Sequence, residues 1–299
     1  MSTASDNSIT EKSTKTINPS QITAFNMLVI IATCMIGTVL TIAILSPSIH
    51  RRKTWYSLMA AFMVFATTGL PIIGHQLGPD PPFSLCLFQA ALVYAIPPLA
   101  ILSVACFIFD LRFMVLSLVH RKEFVGQKTE LLLILLPWAV FFTIITEILV
   151  LVHMAGRSTI ERSLTQFYCH VTLHTPLVVT TALSVVSWAI TVPLEIWTAG
   201  VLYKNWTICR RMNVIDSQIY ASTLIRSGVL TIGLAIGIGL TACAFNIERA
   251  SWDMCFPLAP ILVAIAFGTH KDMIRACMFW KRIKLRVEDK NSKKTSGRS

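Results

Sequence analysis

Long uncharged apolar runs alternate along this chain with short segments rich in Lys and Arg or in polar residues. A bilayer core of about 30 Å is crossed by about 20 helical residues, each rising about 1.5 Å. Seven runs reach or approach that length. Ile22–Leu45, Trp55–Gly74 and Cys86–Phe109 carry no charge, the third ending at Asp110. Leu131–Val152 carries Glu147, and Thr175–Tyr203 carries Pro193 and Glu195. Ser227–Phe245 is uncharged and glycine-rich, and Trp252–Gly268, the weakest, holds Asp253 at its edge and Pro257 and Pro260 inside. Hydrocarbon offers no partners to backbone N–H and C=O groups, so these runs are expected to be helices. The period-two alternation of a barrel strand is missing from them. Prolines at 71, 97, 98, 137, 193, 257 and 260 are expected to kink five of the seven spans.

The expected fold is therefore an all-α membrane protein, a seven-transmembrane-helix bundle. Composition agrees: 54% of the 299 residues are hydrophobic and 14% are charged, against about 25% charged in a soluble domain. Mean hydropathy is +0.66. Residues 1–21 are polar and show no charged-then-apolar block with a small-residue cleavage site, so the first span is expected to direct insertion. The chain then divides into that polar stretch, a helical domain over 22–270, and a terminal segment over 271–299.

The net charge of +11 points to nucleic acid only if the cations cluster on a soluble surface, and they do not. Arg51, Arg52 and Lys53 fall in the first loop; Arg112, Arg121, Lys122 and Lys128 in the third; Lys204, Arg210, Arg211 and Arg226 in the fifth. Lys271, Arg275 and the basic run to Arg298 form the tail. The opposite side holds only Lys12, Lys15, Arg157, Arg162 and Arg249. This asymmetry sets the odd loops and the C-terminus in the cytoplasm and the N-terminus outside. No nucleic-acid partner is expected. Trp55, Trp206, Trp252 and Trp280 are expected at the interfaces.

Candidate chemistry is sparse. Cys86 opens the third span and Cys169 lies in the longest outer loop, where an oxidising compartment permits a disulfide. Free thiols, or a Cys169–Cys255 pair, remain alternatives. Asp110 and Arg112 close the third span about 39 Å from Cys86 along a helix. They either hold a closed state through ionic contacts or simply anchor the helix at the headgroups. Glu195 is an intramembrane acid and so a functional suspect, with Arg112 or Arg226 as its partner, or it is buried in neutral form. Glu147 lies towards the outer end of its span, either as a functional intramembrane acid or simply reaching the interface. His170 and His174, at i and i+4, are the one ligand-like histidine pair, with loop solvation the plainer reading. Met273–Arg282 reads as a short amphipathic helix on the inner leaflet, with Cys277, like Cys209, a lipidation candidate. There is no phosphate-binding glycine loop, no lysine in the seventh span, and no catalytic or metal-ligand spacing. No cofactor and no enzymatic activity are expected.

Seven spans in this orientation, Cys86 atop the third helix, Asp110-Leu111-Arg112 below it and a surface helix after the seventh resemble a G-protein-coupled receptor over roughly residues 22–285. Residues 78–90 (Gly-Pro-Asp-Pro-Pro-Phe-Ser-Leu-Cys-Leu-Phe-Gln-Ala) and 267–272 (Phe-Gly-Thr-His-Lys-Asp) are similar to a group of fungal seven-helix proteins near the fungal pheromone-receptor type. The resemblance implies a plasma-membrane receptor coupled to a heterotrimeric G protein through loops three and five, with Arg121, Lys122, Arg210 and Arg211 meeting that partner. The Trp-x-Pro and Asn-Pro-x-x-Tyr switches of rhodopsin-like receptors are missing. The short outer surface suits a small-molecule, lipid or peptide ligand. The competing expectation is a seven-span small-solute transporter built from two three-helix repeats, although spans one to three do not resemble spans five to seven.

Overall fold

A computed structural model of the chain describes residues 19–46, 51–120, 126–163, 165–204, 224–226, 228–229, 231–233 and 254–269. The helices are α1 (Pro19–Leu45), α2 (Lys53–Thr67), α3 (Phe83–His120), α4 (Gln127–Ala155), α5 (His174–Lys204) and α6 (Leu258–Gly268). A short helical segment, Leu224–Gly233, lies between α5 and α6. Between α4 and α5 a 3-10 turn, Arg157–Thr159, leads into an antiparallel hairpin of β1 (Ile160–Arg162) and β2 (Cys169–Val171), with Glu161 opposite His170.

Among the described residues, α1, α3, α4 and α5 are long and apolar enough to cross a membrane. Each extends past the apolar run that signalled it, α3 furthest, continuing from Asp110 to His120. α3 is the central element: 67% of its apolar window is buried, against 28% in α1 and 22% in α4 and α5. It packs against α2, α4 and α5 and against β2, while α1 packs on α2 and α6. The outer faces of α1, α4 and α5 expose large apolar side chains such as Ile31, Leu132, Phe142, Val186 and Ile196. Water would make so wide an apolar exterior costly, whereas lipid does not.

Burial follows helical periodicity. In α1 the buried set is Ile22, Phe25, Val29, Ala32, Ile36, Val39 and Ala43, alternating three and four residues. The buried face of α5 is instead mostly hydroxylated: Thr180, Ser184, Ser187, Thr191 and Thr198. Such small polar residues let helices approach closely inside a membrane. One of them repairs a proline. Pro98 has no N–H for the carbonyl of Tyr94, one turn earlier, and the Thr180 hydroxyl donates to that oxygen at 3.2 Å.

α2 stops earlier than its apolar run. The expectation to Gly74 is replaced by turns from Thr68 onward, because Pro71 disfavours helix in the residue before it. Neighbours satisfy the freed carbonyls: Thr33 Oγ1 donates to Ala66 O at 3.2 Å, and Gln89 Nε2 to Thr68 O at 3.3 Å. At Gly69 a Cβ would meet Val29 Cγ2 at 2.8 Å, so the chain passes α1 where only glycine fits. α6 begins at Leu258 and not at Trp252, after a turn over Met254–Pro257. Phe267 of α6 meets Trp55 and Phe107 edge-on at 6.4 and 6.0 Å. Trp55, expected at an interface, is thus buried among aromatic rings.

Candidate functional site

Two polar constructions stand at opposite ends of α3. The first fastens the hairpin over the bundle end where α3 starts. Cys86 and Cys169 are joined by a disulfide, with Cα atoms 5.3 Å apart, and Cys255 is a free cysteine. One turn along α3, Gln89 Oε1 accepts from the Cys169 N–H at 3.1 Å. A further turn on, the Tyr94 hydroxyl donates to Val171 O at 3.2 Å. β2 is therefore laced to α3 at three successive levels, one covalent and two hydrogen-bonded.

The hairpin tip reaches across to α1. Phe167, 1% exposed, stacks on Phe25 with centroids 4.7 Å apart, among Ile22 and Val29. Gln166 beside it takes φ 59°, a left-handed turn that a non-glycine residue adopts at some cost. β1 adds a clamp. Arg162 donates from Nη1 to His75 O at 3.0 Å and Gln76 O at 3.3 Å, and from Nη2 to Gly78 O and Asp80 Oδ1, each at 3.1 Å. This one guanidinium holds the α2–α3 loop under the hairpin, and paired amides of Asn26 and Gln76 at 2.7 and 2.8 Å tie the same loop to α1. Neither Arg162 nor Phe167 was marked out by sequence. A lone arginine in a loop carries no local signal for four acceptors over 80 residues away.

The second construction centres on Asp110, 2% exposed. Its Oδ2 accepts from Thr54 Oγ1 at 2.6 Å and lies 2.8 Å from Arg52 Nε. Arg52 Nη1 also contacts Met114 Sδ at 3.0 Å. Asp110 towards the end of α3 is thus ion-paired with Arg52 at the start of α2, not with the adjacent Arg112. Asp110 Oδ1 is buried and has no hydrogen bond among the described residues.

Arg112 turns to the other side of α3 and lies over the Trp197 ring of α5, 3.2 Å from its centroid. Trp197 is 60% exposed, so this cation–π contact sits at the rim of the bundle. Arg226 donates to Ala266 O, joining the Leu224–Gly233 segment to α6. Glu195 is part-buried on α5 with Oε1 enclosed. The structure thus brings Asp110 together with Arg52 and Thr54, and directs Arg112 to α5.

Between these ends α3 and α5 carry buried hydroxyls. Ser103 Oγ and Ser184 Oγ have no hydrogen-bond partner among the described residues. Glu147 sits on the outward face of α4, in a shallow open groove with Thr143 and Thr146. Among the described residues no three His, Cys, Asp or Glu side chains form a metal-sized cluster. Arg121, Lys122, Cys209, Arg210, Arg211 and Cys277 lie outside the described residues. No protein-family model matches the chain, and no curated protein matches it.

Proposed function

We propose that the chain is a seven-span plasma-membrane receptor, N-terminus outside and C-terminus in the cytoplasm. It senses a small molecule, lipid or peptide and signals through a heterotrimeric G protein, the activity that its resemblance to fungal receptor-like proteins implies. The spans beyond the four long helices are α2, the stretch containing Leu224–Gly233, and α6 with its preceding turn. The partition of cations along the chain supports the orientation. The hairpin end then faces outward, and the Asp110 end faces the G protein.

The observation that carries the reading is the buried Asp110–Arg52–Thr54 contact at the cation-rich end of α3. Among the described residues, α3 packs against the hairpin, α2, α4 and α5 together, so a shift in its packing reaches both ends. A ligand among the outer helix halves, within reach of hydroxyls such as Ser184, shifts the bundle only if it binds the open arrangement more tightly. Breaking the Asp110 contact releases α3 from α2 and opens the cytoplasmic face. Arg112, freed from Trp197, meets the partner alongside Arg121, Lys122, Arg210 and Arg211.

The test is a ligand screen read by nucleotide exchange on purified G protein. Agonist-dependent exchange is expected. Asp110→Asn should raise basal exchange, and Arg112→Ala should blunt the agonist response. Solute uptake into proteoliposomes without nucleotide exchange would contradict the receptor reading and favour a transporter.

A further inference from the structure

Arg112 ends on no anion. Arg52 reaches the Asp110 carboxylate, Arg162 four oxygens of the α2–α3 loop, and Arg226 the Ala266 carbonyl. Among the described residues Arg112 makes no hydrogen bond and no ion pair. It lies instead over the Trp197 ring, 3.2 Å from the centroid. At that separation an edge-on guanidinium would drive a nitrogen into the ring, so it stacks flat. Its N–H groups then point sideways, in the fork that suits phosphate oxygens.

The face of α5 beneath it has the layout of a lipid. Val186, Ile190, Trp197, Gly200 and Lys204 are exposed and, at spacings of three, four and seven, share one side of the helix. Along that side the chemistry runs from apolar through aromatic to cationic. α5 has 31 residues, about 46 Å of helix, which matches a bilayer with its headgroup zones. Lys204 is its last residue. Trp197 lies about 10 Å before it, where headgroups meet hydrocarbon and tryptophan is favoured. A Cβ at Gly200 would meet nothing within 4 Å, so the space between ring and ammonium is open. Lys204, like Arg112, has no ion pair among the described residues.

We propose that this rim binds one anionic glycerophospholipid from the leaflet at the Asp110 end. The phosphate takes the Arg112 fork, the headgroup lies over Gly200 towards Lys204, and the acyl chains run along Ile190 and Val186. The order of chemistry on this face argues for lipid over a protein partner. Another helix would have to carry an acid to the hydrocarbon boundary, at the cost that keeps ionisable groups rare in spans. A lipid holds its charge at that depth already, with its chains on the apolar side. Two cations without counter-charge select a net negative headgroup over a zwitterionic one. The inference needs α3 and α5 to cross the bilayer and is independent of signalling.

Native mass spectrometry of the full chain, released from micelles holding phosphatidylglycerol and phosphatidylcholine in equal amounts, reads which lipid stays bound. Wild type should retain phosphatidylglycerol in preference. Arg112→Gln should cut that preference at least about tenfold, the worth of a charge-assisted hydrogen bond, and Lys204→Gln about fivefold. Arg112→Lys, which keeps the charge without the fork, should fall between wild type and Arg112→Gln. Lys128→Gln removes an exposed cation at the start of α4 and should change nothing, and binding by the basic tail is common to all variants. Because Arg112 sits at the rim, thermal unfolding of Arg112→Gln in phosphatidylcholine alone should stay near wild type, separating a lost lipid from a lost fold. Soluble glycerol phosphate should not displace the lipid. Equal retention of both lipids by wild type, unchanged retention in Arg112→Gln, an equal loss in Lys128→Gln, or displacement by glycerol phosphate would overturn the proposal.

Discussion

Removing the Arg52 guanidinium should destabilise the fold more than removing the carboxylate it serves. Asp110 is 2% exposed, and its Oδ1 already lacks a partner among the described residues. Arg52→Ala strands that group with only the Thr54 hydroxyl, 2.6 Å away. Stranding a buried charge costs about 3–5 kcal/mol. The Arg52 side chain is 36% exposed, so solvent screens part of the attraction, and a cost of about 2–3 kcal/mol is expected. Asp110→Asn keeps an oxygen for Thr54 and leaves no charge to strand, so about 1 kcal/mol is expected. The double variant Arg52→Ala/Asp110→Asn should then be more stable than Arg52→Ala alone, by about 1 kcal/mol or more. Thermal unfolding of the four proteins in one detergent reads the cycle directly. A double variant whose loss equals the two single losses added together would refute the coupling, and with it the view that Asp110 and Arg52 act as a unit.

Other outcomes follow from close packing and from the hairpin. Gly268→Val should destabilise by about 1–3 kcal/mol by overpacking, since a Cβ there would lie 2.8 Å from Val39 Cγ2; thermal unfolding checks it. Arg162→Ala should speed amide exchange and proteolysis at residues 75–80 while leaving exchange in the long helices unchanged, because the clamp holds only that loop and its own hairpin. Phe167→Ala should cost about 3 kcal/mol or more and raise exchange across the hairpin, because the ring is buried against Phe25; an unchanged unfolding temperature would mean the tip does not seal the bundle.

The long helices were legible because lipid imposes one strong rule, an uncharged run of sufficient length. That is why Ile22–Leu45, Cys86–Phe109, Leu131–Val152 and Thr175–Tyr203 each lie inside an observed helix. The Cys86–Cys169 link was legible as one of three options, because few cysteines share that side. Which face of each helix turns inward was not legible. In α1 both the buried and the exposed positions are apolar, so no moment separates them. α5 even inverts the soluble pattern, burying Thr and Ser while exposing Val and Ile. Partners distant in sequence were hidden for another reason. Nothing near Asp110 marks Arg52, 58 residues earlier, as its cation, and the adjacent Arg112 was the natural but different candidate. The early end of α2 had a visible cause in Pro71, but an uncharged run gives no weight to one proline when kinked spans are common.

The measurement that bears most directly on the seven-span receptor reading is the side of the membrane on which each end of the chain emerges. With distinct epitope tags at the two ends, intact cells should stain for the N-terminal tag alone, and the C-terminal tag should appear only after permeabilisation. Both tags accessible together on intact cells, or both hidden until permeabilisation, would require an even number of crossings and contradict the reading.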